Sequence, residues 1–253
     1  MTRPCVESRD LGVGYHHETV VADVQFRLEA GQVLALVGSN RSGKTTLLKT
    51  VAGLLPPTAG SLEVFGAPPL GRPERVAYLG QFHPASFMLP LRVKDVVRMA
   101  RFARLGLFGR FTGGDRRAVD QAMVVMDVPG LADTPLNALS GGQRQRVFLA
   151  QAFAREADLI LLDEPAANLD AAGCTVIVAT HDIDEAAEGD WTMLLAHRVV
   201  AYGPSRDILT RPALLATLGM VGKDQEGGIV IVEREHGHDH GDGHDHDRDH
   251  DHG

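Results

Sequence analysis

The feature that most constrains the fold is the segment 38–45, Gly-Ser-Asn-Arg-Ser-Gly-Lys-Thr, which matches the pattern G-x-x-x-x-G-K-[ST]. The apolar run 32–37 before it predicts a buried strand, and the run 44–54 after it predicts a helix. A glycine-rich turn between a strand and a helix directs several backbone N–H groups, and the partial positive charge of the helix N-terminus, at one phosphate group. The sequence therefore predicts a phosphate-binding loop in an α/β protein.

Within this loop we expect Lys44 to reach the β- and γ-phosphates of a bound nucleotide and the Thr45 hydroxyl to bind Mg²⁺. The other predicted nucleotide contacts come from the rest of the loop and the residue that follows it: Gly38, Ser39, Asn40, Arg41, Ser42, Gly43 and Thr46.

Two acidic residues, Asp163 and Glu164, follow another apolar run at 159–162, which predicts a second buried strand. An Asp at the carboxyl end of such a strand can hold Mg²⁺ through water. The neighbouring Glu164 can polarise a water molecule that attacks phosphate. We therefore predict that Asp163 serves the metal and Glu164 the hydrolysis. A solvated acidic strand end is the alternative for the pair considered alone.

The apolar run 175–180 predicts one more buried strand, whereas 93–107 and 115–128 have the spacing of helices. Strands that alternate with helices indicate a mostly parallel sheet. No run reaches the roughly 18 apolar residues that span a bilayer, and the N-terminus has no apolar leader. Two cysteines form neither a disulfide framework nor a metal cluster. We expect a large α/β domain in the reducing cytosol.

The net charge of −8 is unevenly distributed. Residues 236–253 contain seven His, six Asp, four Gly and one Arg, so this tail carries −5 and the rest of the chain −3. The net charge of −8 argues against nucleic acid as the main partner, because phosphate backbones bind basic surfaces. The tail has no apolar residue and is therefore predicted to be disordered.

The tail also predicts a transition-metal site, because neutral imidazoles in His-x-His spacing suit Zn²⁺, Ni²⁺ or Co²⁺. The alternative is a solvated acidic extension that binds metal only incidentally. The candidate ligands are His236, His238, His240, His244, His246, His250 and His252.

The segment 139–143, Leu-Ser-Gly-Gly-Gln, completes an ordered set of motifs. Together with the phosphate loop, Gln81, the acidic pair, the segment 168–170 (Asn-Leu-Asp) and His181, it resembles the nucleotide-binding subunit of an ABC transporter over about residues 5–220. The resemblance implies a P-loop NTPase fold with a parallel sheet, an N-terminal antiparallel β part and a helical subdomain at about 83–155. It also implies a nucleotide-binding domain over 1–225, followed by an extension over 226–253.

The resemblance further implies roles for single residues. Tyr15 would stack on adenine, and Asp170 would belong to the D-loop. The catalytic residues would be Glu164 as general base, Gln81 as the sensor of Mg²⁺ and of the membrane partner, and His181 at the γ-phosphate. In a head-to-tail homodimer, the helix N-terminus of one protomer would contact the γ-phosphate held by the other. The residues of this signature contact are Ser140, Gly141, Gly142 and Gln143.

The runs 78–97 and 101–106 resemble the zinc and manganese uptake branch of bacterial ABC importers. This resemblance implies ATP and Mg²⁺ as cofactors, and a location at the cytoplasmic face of the cell membrane. The partners would be integral-membrane permease subunits and an extracytoplasmic metal-binding protein. Three alternatives remain: the ATPase of another transporter, an ABC-type ATPase of DNA repair, chromosome organisation or translation, and a degenerate ATPase that stores or delivers metal through its tail.

Two features depart from the family pattern. Arg41 stands where the family usually has Gly, so a left-handed backbone there would cost on the order of 1 kcal/mol. Only residues 171–174 separate Asp170 from the predicted strand at 175–180, where the family usually has a helix. We expect the missing helix to uncover ~300 Å² of apolar sheet face, a loss of ~7–8 kcal/mol at ~25 cal/mol/Å², unless neighbouring segments cover it.

Overall fold

The computed structural model describes residues 4–16, 18–80, 91–105, 109–165 and 174–210, and beyond them 213–214, 217, 221–223 and 229–231. The strands are β1 (Val6–Tyr15), β2 (Glu18–Leu28), β3 (Val33–Val37), β4 (Ala59–Val64), β5 (Val76–Leu79), β6 (Leu159–Asp163), β7 (Thr175–Thr180), β8 (Trp191–Leu195), β9 (Val199–Pro204), β10 (Val221–Lys223) and β11 (Ile229–Ile231). The helices are α1 (Lys44–Val51), α2 (Val93–Met99), α3 (Phe102–Leu105), α4 (Gly113–Val125), α5 (Gly141–Ala154), α6 (Ile183–Ala187) and α7 (Ser205–Ile208). None of the helices in the described part of the chain is long and apolar enough to cross a bilayer.

Six strands form the central sheet in the order β5-β6-β7-β3-β8-β9, and all of them except β9 are parallel. Three of these strands are the ones that the apolar runs predict. The register pairs Asp163 of β6 with Ala179 of β7, and Val37 of β3 with Thr180 of β7. Because the carboxyl ends of parallel strands meet at one edge, the phosphate loop, the acidic pair and the segment after β7 lie along the same edge of the sheet.

An antiparallel sheet of β2, β1 and β4 lies over one face of the central sheet, with α1 between them. This confirms the expected N-terminal β part. The core between the layers contains Leu11 and Leu28 of the small sheet, Leu48 of α1, and Leu161 and Ile177 of the central sheet, none of them more than 1% exposed. Burial of these apolar side chains fixes the small sheet beside the phosphate loop.

The helices α2, α4 and α5 pack around a separate core that includes Val97, Met123 and Val147. The predicted helix 115–128 corresponds to α4, whose start is fixed by a capping box between Thr112 and Asp115. The predicted helix 93–107 is instead two helices, α2 and α3, separated at residues 100–101. The limits of the helical subdomain, about 83–155, stay a prediction because residues 81–90 lie outside the described part.

Arg101 gives the physical reason for the break between α2 and α3. Its side chain is 4% exposed, and it donates hydrogen bonds to Asp115 at 2.9 Å, Glu156 at 2.8 Å and the carbonyl oxygen of Ala154 at 2.9 Å. A buried cation is tolerated only with such partners. Hydrogen bonds from Thr112, and then from Arg101, hold the pKa of Asp115 at about 2. The α2–α3 junction is therefore tied to the start of α4 and the end of α5.

The second face of the central sheet is covered at β7, so of the two alternatives left open for the short crossover, cover by neighbouring segments is the one that the structure has. Val176 and Val178 of β7 are only 2% and 6% exposed. They share a core with Leu149 of α5, Ile183 of α6 and Leu214. Elements from distant parts of the sequence therefore pack where the missing helix was expected to leave a gap. The crossover itself, 166–173, lies outside the described residues.

Near the C-terminus, β10 and β11 form an antiparallel pair on either side of the predicted domain boundary at 225–226. The domain limits therefore stay a prediction. The tail 236–253, with its predicted disorder, lies outside the described residues.

Candidate functional site

Two glycines of the phosphate loop are required by close contacts of its backbone. A Cβ atom on Gly38 would lie 2.3 Å from the carbonyl oxygen of Leu195, at the end of β8. A Cβ atom on Gly43 would lie 2.2 Å from Cγ2 of Val21 in β2, and the φ angle of Gly43 is +110°. The loop is thus enclosed by both sheets, which fix the shape of its backbone.

Arg41 has a φ angle of +65°, so the backbone is left-handed at this departure from the family pattern, which is the condition for the predicted cost. A side chain in this conformation costs on the order of 1 kcal/mol relative to glycine. Arg41 therefore adds strain to the loop.

A cavity of about 470 Å³ opens beside the loop, a volume in the range of small-molecule sites. Residues 39–46 line it together with Tyr15, Val20 and Glu164. The structure thus brings together the residue predicted to stack on adenine, the phosphate loop and the predicted general base. Tyr15 ends β1 and is 39% exposed, so its ring is available to a flat ligand.

Lys44 and Thr45 begin α1 and are held from opposite sides. The buried Lys44 ammonium donates to the carbonyl oxygens of Gly38 at 2.5 Å and Ser39 at 3.1 Å. The Thr45 hydroxyl donates to Oδ1 of Asp163 at 3.1 Å. Burial raises the pKa of the Asp163 carboxyl, and the hydrogen bond from Thr45 opposes that rise. The end of β6 is thereby joined to the first turn of α1.

Two buried oxygens at this junction, Oδ2 of Asp163 and Oγ of Ser42, have no hydrogen-bond partner among the described residues. A buried polar atom without a partner costs about 1–3 kcal/mol, so such atoms indicate a place for a ligand. Mg²⁺ prefers oxygen ligands and is commonly bound by one or two carboxylates together with substrate phosphates and water. The Asp163 carboxylate and the Thr45 hydroxyl therefore fit Mg²⁺ bound with a nucleotide.

Glu164 lies directly after β6 with a φ angle of +55°, and its backbone N–H donates to the carbonyl oxygen of Ala179 at 2.9 Å. For a non-glycine residue this backbone is strained, and such strain occurs most often at functional sites. Because Glu164 lines the cavity, its carboxylate can accept a proton from a water molecule there.

His181 follows β7 and has an exposed side chain. Since Asp163 pairs with Ala179, His181 lies two residues further along at the same edge of the sheet as the acidic pair. His181 is not among the residues that line the cavity beside the phosphate loop.

The signature segment begins α5 and lies apart from the cavity. Oγ of Ser140 accepts a hydrogen bond from the N–H of Gln143 at 3.3 Å, and the Gln143 side chain accepts one from the N–H of Ser140 at 3.0 Å. Gly141 and Gly142 are exposed, and a Cβ atom on either would meet no atom within 4 Å. The structure therefore separates two potential anion-binding surfaces within one chain.

Other predicted site residues lie outside the described part of the chain. They are Gln81, Asp170, His236, His238, His240, His244, His246, His250 and His252, whose roles stay predictions. Among the residues that are described, no three or more His, Cys, Asp or Glu side chains are grouped so that they could hold a metal ion.

Two residues near the site were not predicted to have a role. Burial raises the pKa of the Tyr78 hydroxyl on β5, and the Asp163 carboxylate raises it further. Glu185 in α6 is half-buried and accepts a hydrogen bond from Thr180 at 2.5 Å. A weak sequence signal exists for each: Tyr78 lies three residues before Gln81, and Glu185 lies one helical turn after His181.

Comparison with known proteins agrees with this geometry. The model of the family described as ABC transporter matches residues 21–167. The manganese transport system ATP-binding protein MntB of Bacillus subtilis (strain 168) is 34% identical over 230 residues, which cover 85% of this chain and 92% of that protein. The zinc transport system ATP-binding protein TroB of Treponema pallidum (strain Nichols) is 36% identical over 218 residues, with coverages of 80% and 82%.

The solved structure of a metal-chelate type ABC transporter in an inward-facing conformation superimposes with a TM-score of 0.74 at 27% identity, covering 92% of this chain and 99% of that one. CbiO1 of Clostridium perfringens, part of the transporter complex cbiONQ, gives 0.70 at 24% identity and supports the fold, with coverages of 86% and 95%. The predicted fold class is thus confirmed. From the family match, the curated relatives and the phosphate site together, this chain belongs to the ABC transporter family and is an ATP-hydrolysing subunit of its metal-transport branch.

Proposed function

We propose that this chain, at the cytoplasmic face of the cell membrane, hydrolyses MgATP to power the uptake of zinc or manganese through integral-membrane permease subunits. The observation that carries the proposal is the cavity lined by the phosphate loop and Glu164, with the hydrogen bond from its lining residue Thr45 to Asp163. An extracytoplasmic metal-binding protein would deliver the cargo to the permease.

In this proposal, Lys44 and the backbone N–H groups of the loop bind the phosphates, and Tyr15 stacks on the adenine. Thr45 and Asp163 hold Mg²⁺, which neutralises phosphate charge when it is bound. Gln81, whose position is known only from the sequence, serves the same ion.

For hydrolysis, Glu164 accepts a proton from the water molecule that attacks the γ-phosphate. His181 donates a hydrogen bond to an oxygen of that phosphate, where charge develops in the transition state. The location of Glu164 at the cavity and of His181 at the same sheet edge supports these two roles.

We further propose a head-to-tail homodimer in which ATP lies between the phosphate loop of one protomer and Ser140–Gln143 of the other. Support comes from the separation of the two surfaces within one chain, because a signature that contacts this cavity must then come from a second protomer. Asp170 would lie at the same interface.

The test of the catalytic assignment is Glu164→Gln, which keeps the shape of the side chain and removes the base. Hydrolysis should fall by about 10²-fold or more while ATP affinity stays within severalfold, and an ATP-bound dimer should accumulate on size exclusion. Glu63→Gln, an exposed acidic position on β4, is the matched control. Hydrolysis at the parent rate in the Glu164 variant would refute the role of the base.

The choice of metal is supported by the names of the relatives, which include manganese, zinc and chelated iron transport systems. Uptake of radioactive zinc, manganese and iron by cells with and without this chain decides among them. A loss confined to zinc or manganese supports the proposal. ATP-independent metal buffering would favour a storage or delivery protein, and unchanged uptake of all three metals would favour another transported substrate.

We also propose that the tail binds Zn²⁺ through three or four of its seven imidazoles and takes no part in hydrolysis. The affinity of the tail for Zn²⁺ should decrease below about pH 6.5, because Zn²⁺ must displace protons from charged imidazoles. Truncation after Glu235 should remove most zinc binding in calorimetry and leave basal ATPase activity within about twofold, under 0.5 kcal/mol. A full-length variant with all seven His changed to Asn is the matched control, and undiminished zinc binding in either protein contradicts the assignment.

A further inference from the structure

The segment that follows β7 is closed around His181 by a chain of hydrogen bonds. The backbone N–H of Asp182 donates to Oγ1 of Thr180 at 3.0 Å, and that hydroxyl donates to Oε2 of Glu185 at 2.5 Å. The Asp182 carboxylate in turn accepts the N–H groups of Asp184 at 2.8 Å and Glu185 at 3.2 Å. The two neighbours of His181 in the sequence are therefore both tied to the first turn of α6.

These bonds matter because α6 has only five residues, a length at which an isolated helix is unstable in water. Ile183 and Ala186 anchor it through buried side chains, 5% and 0% exposed. Asp182 acts as the N-cap and satisfies two N–H groups that have no acceptor within the helix. The helix therefore holds a fixed position from which Glu185 reaches back to β7.

Glu185 is half-buried, and this burial raises the pKa of its carboxyl, whereas the hydrogen bond from Thr180 lowers it. A carboxylate that is partly removed from water requires a donor, and Thr180 supplies one. His181 also interacts with Glu185 electrostatically and lowers the same pKa, while Asp182 and Glu188 raise it. The Thr180 hydroxyl is therefore the group that holds this carboxylate in place.

We propose that Glu185 is a positioning residue for His181, an inference that rests on the proposed role of His181 at the γ-phosphate. Glu185 fixes the Thr180 hydroxyl, and that hydroxyl fixes the N–H of Asp182, so the backbone is held on both sides of His181. The direction in which the imidazole leaves the backbone is then determined by the chain of bonds. Glu185 itself does not touch the nucleotide.

The rate of hydrolysis should depend on the position of the His181 side chain. A displacement of about 1 Å at a reacting group can cost about 10²-fold in rate. Loss of the Glu185–Thr180 bond frees the segment around His181 but leaves the phosphate loop and its contacts unchanged. We therefore expect the maximal rate to fall while the affinity for ATP is preserved.

The test uses the full-length protein and compares Glu185→Ala with Glu185→Gln. Glu185→Ala should lower kcat about 10- to 100-fold, leave KM and nucleotide affinity near the parent values, and lower the melting temperature by only a few degrees, because the Thr180 hydroxyl loses its acceptor. Glu185→Gln keeps an acceptor for the Thr180 hydroxyl, so it should restore kcat to within about threefold. Glu188→Ala, an exposed acidic residue just after α6, is the matched control and should hydrolyse ATP at the parent rate.

A second pair of variants probes the other end of the same bond. Thr180→Val should reproduce the loss in kcat, and Thr180→Ser should recover it. The double variant Glu185→Ala with Thr180→Val should have a kcat close to that of the slower single variant, because both changes break the same chain of bonds. This pair decides the question even if Glu185→Ala does not fold.

His181→Ala separates this inference from the proposed function. If His181→Ala abolishes hydrolysis and both Glu185→Ala and Thr180→Val retain the parent kcat, the positioning role is refuted and the proposed function stands. If His181→Ala retains the parent rate, the role of His181 fails, and the positioning role with it. A Glu185→Ala protein that loses melting temperature, affinity and kcat together refutes the inference as well, because Glu185 would then only support the fold.

Discussion

The N-termini of α1 and α5 both carry glycines, and they differ in how the protein surrounds them. At α1, Gly43 has a φ angle of +110° and no space for a Cβ atom, and the loop before it lines a cavity. At α5, Gly142 is exposed, with open space around it. Both helix starts present N–H groups suited to phosphate. The difference teaches that such groups form a site within one chain only where tertiary packing encloses them, whereas the signature supplies half of a site.

Alanine substitution of these two glycines should give the largest difference. Gly43→Ala places a methyl group against Val21 at an unfavourable φ angle, so the free energy of unfolding should fall by about 3 kcal/mol or more. Gly142→Ala meets no neighbouring atom, and its free energy of unfolding should stay within about 0.5 kcal/mol of the parent. Urea denaturation followed by circular dichroism measures both. Equal destabilisation of the two variants would contradict the difference in packing between the two helix N-termini.

Replacement of the N-cap residue of α5 tests whether the signature contributes to hydrolysis as well as to the stability of its helix. Ser140→Ala should cost about 1 kcal/mol of stability, as for other N-caps. It should also lower hydrolysis by about tenfold or more, because the partner's γ-phosphate loses a hydrogen-bond donor. Phosphate release and ATP affinity should be measured together, and affinity of the single chain should not change.

The matched control is Thr112→Ala at the start of α4, which has the same kind of capping box. Thr112 also donates to Asp115 at 2.6 Å, so its removal should destabilise the protein at least as much. Hydrolysis should nevertheless stay near the parent rate. An equal loss of hydrolysis in both variants would attribute the effect of Ser140 to stability alone.

A smaller effect, of opposite sign, is expected at Arg41. Arg41→Gly relieves a φ angle of +65° and should raise the free energy of unfolding by about 0.5–1 kcal/mol. Lys49→Gly in the interior of α1 is the control and should lower it by about 1 kcal/mol. If Arg41→Gly destabilises the protein, the Arg41 side chain contributes more than the strain costs.

The smallest effect is expected from lengthening the crossover before β7. A helix of about 15 residues inserted after Ala172 should not raise the melting temperature, because Val176 and Val178 are already buried. Differential scanning calorimetry of the two proteins measures this. A clear increase would mean that the inserted helix packs better than Leu149, Ile183 and Leu214 do.

Local features of the site could be predicted from the sequence, and features made by distant contacts could not. The phosphate loop, the acidic pair and their strands follow from short patterns, and the strain at Arg41 follows from one position. The break at Arg101 depends on Asp115 and Glu156, which are 14 and 55 residues away. No periodicity within 93–107 contains that information.

The covered sheet face and the contact of Glu185 have the same explanation. Leu149 lies before β7 in the sequence and Leu214 lies after it, and both belong to the core that covers this strand. Glu185 is within a turn of His181 in the sequence, but its bond to Thr180 requires α6 to be anchored by the core. The covered sheet face and the Glu185–Thr180 bond therefore depend on tertiary packing, which the pattern of residue types does not specify.

The two bonds of the Lys44 ammonium to the carbonyl oxygens of Gly38 and Ser39 have a consequence for selectivity among nucleotides. The backbone of the loop is already ordered, so binding avoids an entropy cost of about 1–2 kcal/mol for each residue that would otherwise be fixed. Lys44 then exchanges two neutral carbonyl acceptors for phosphate oxygens that carry negative charge, which adds the attraction between opposite charges. Affinity at this loop should therefore rise with the number of phosphates, in the order AMP, ADP, ATP.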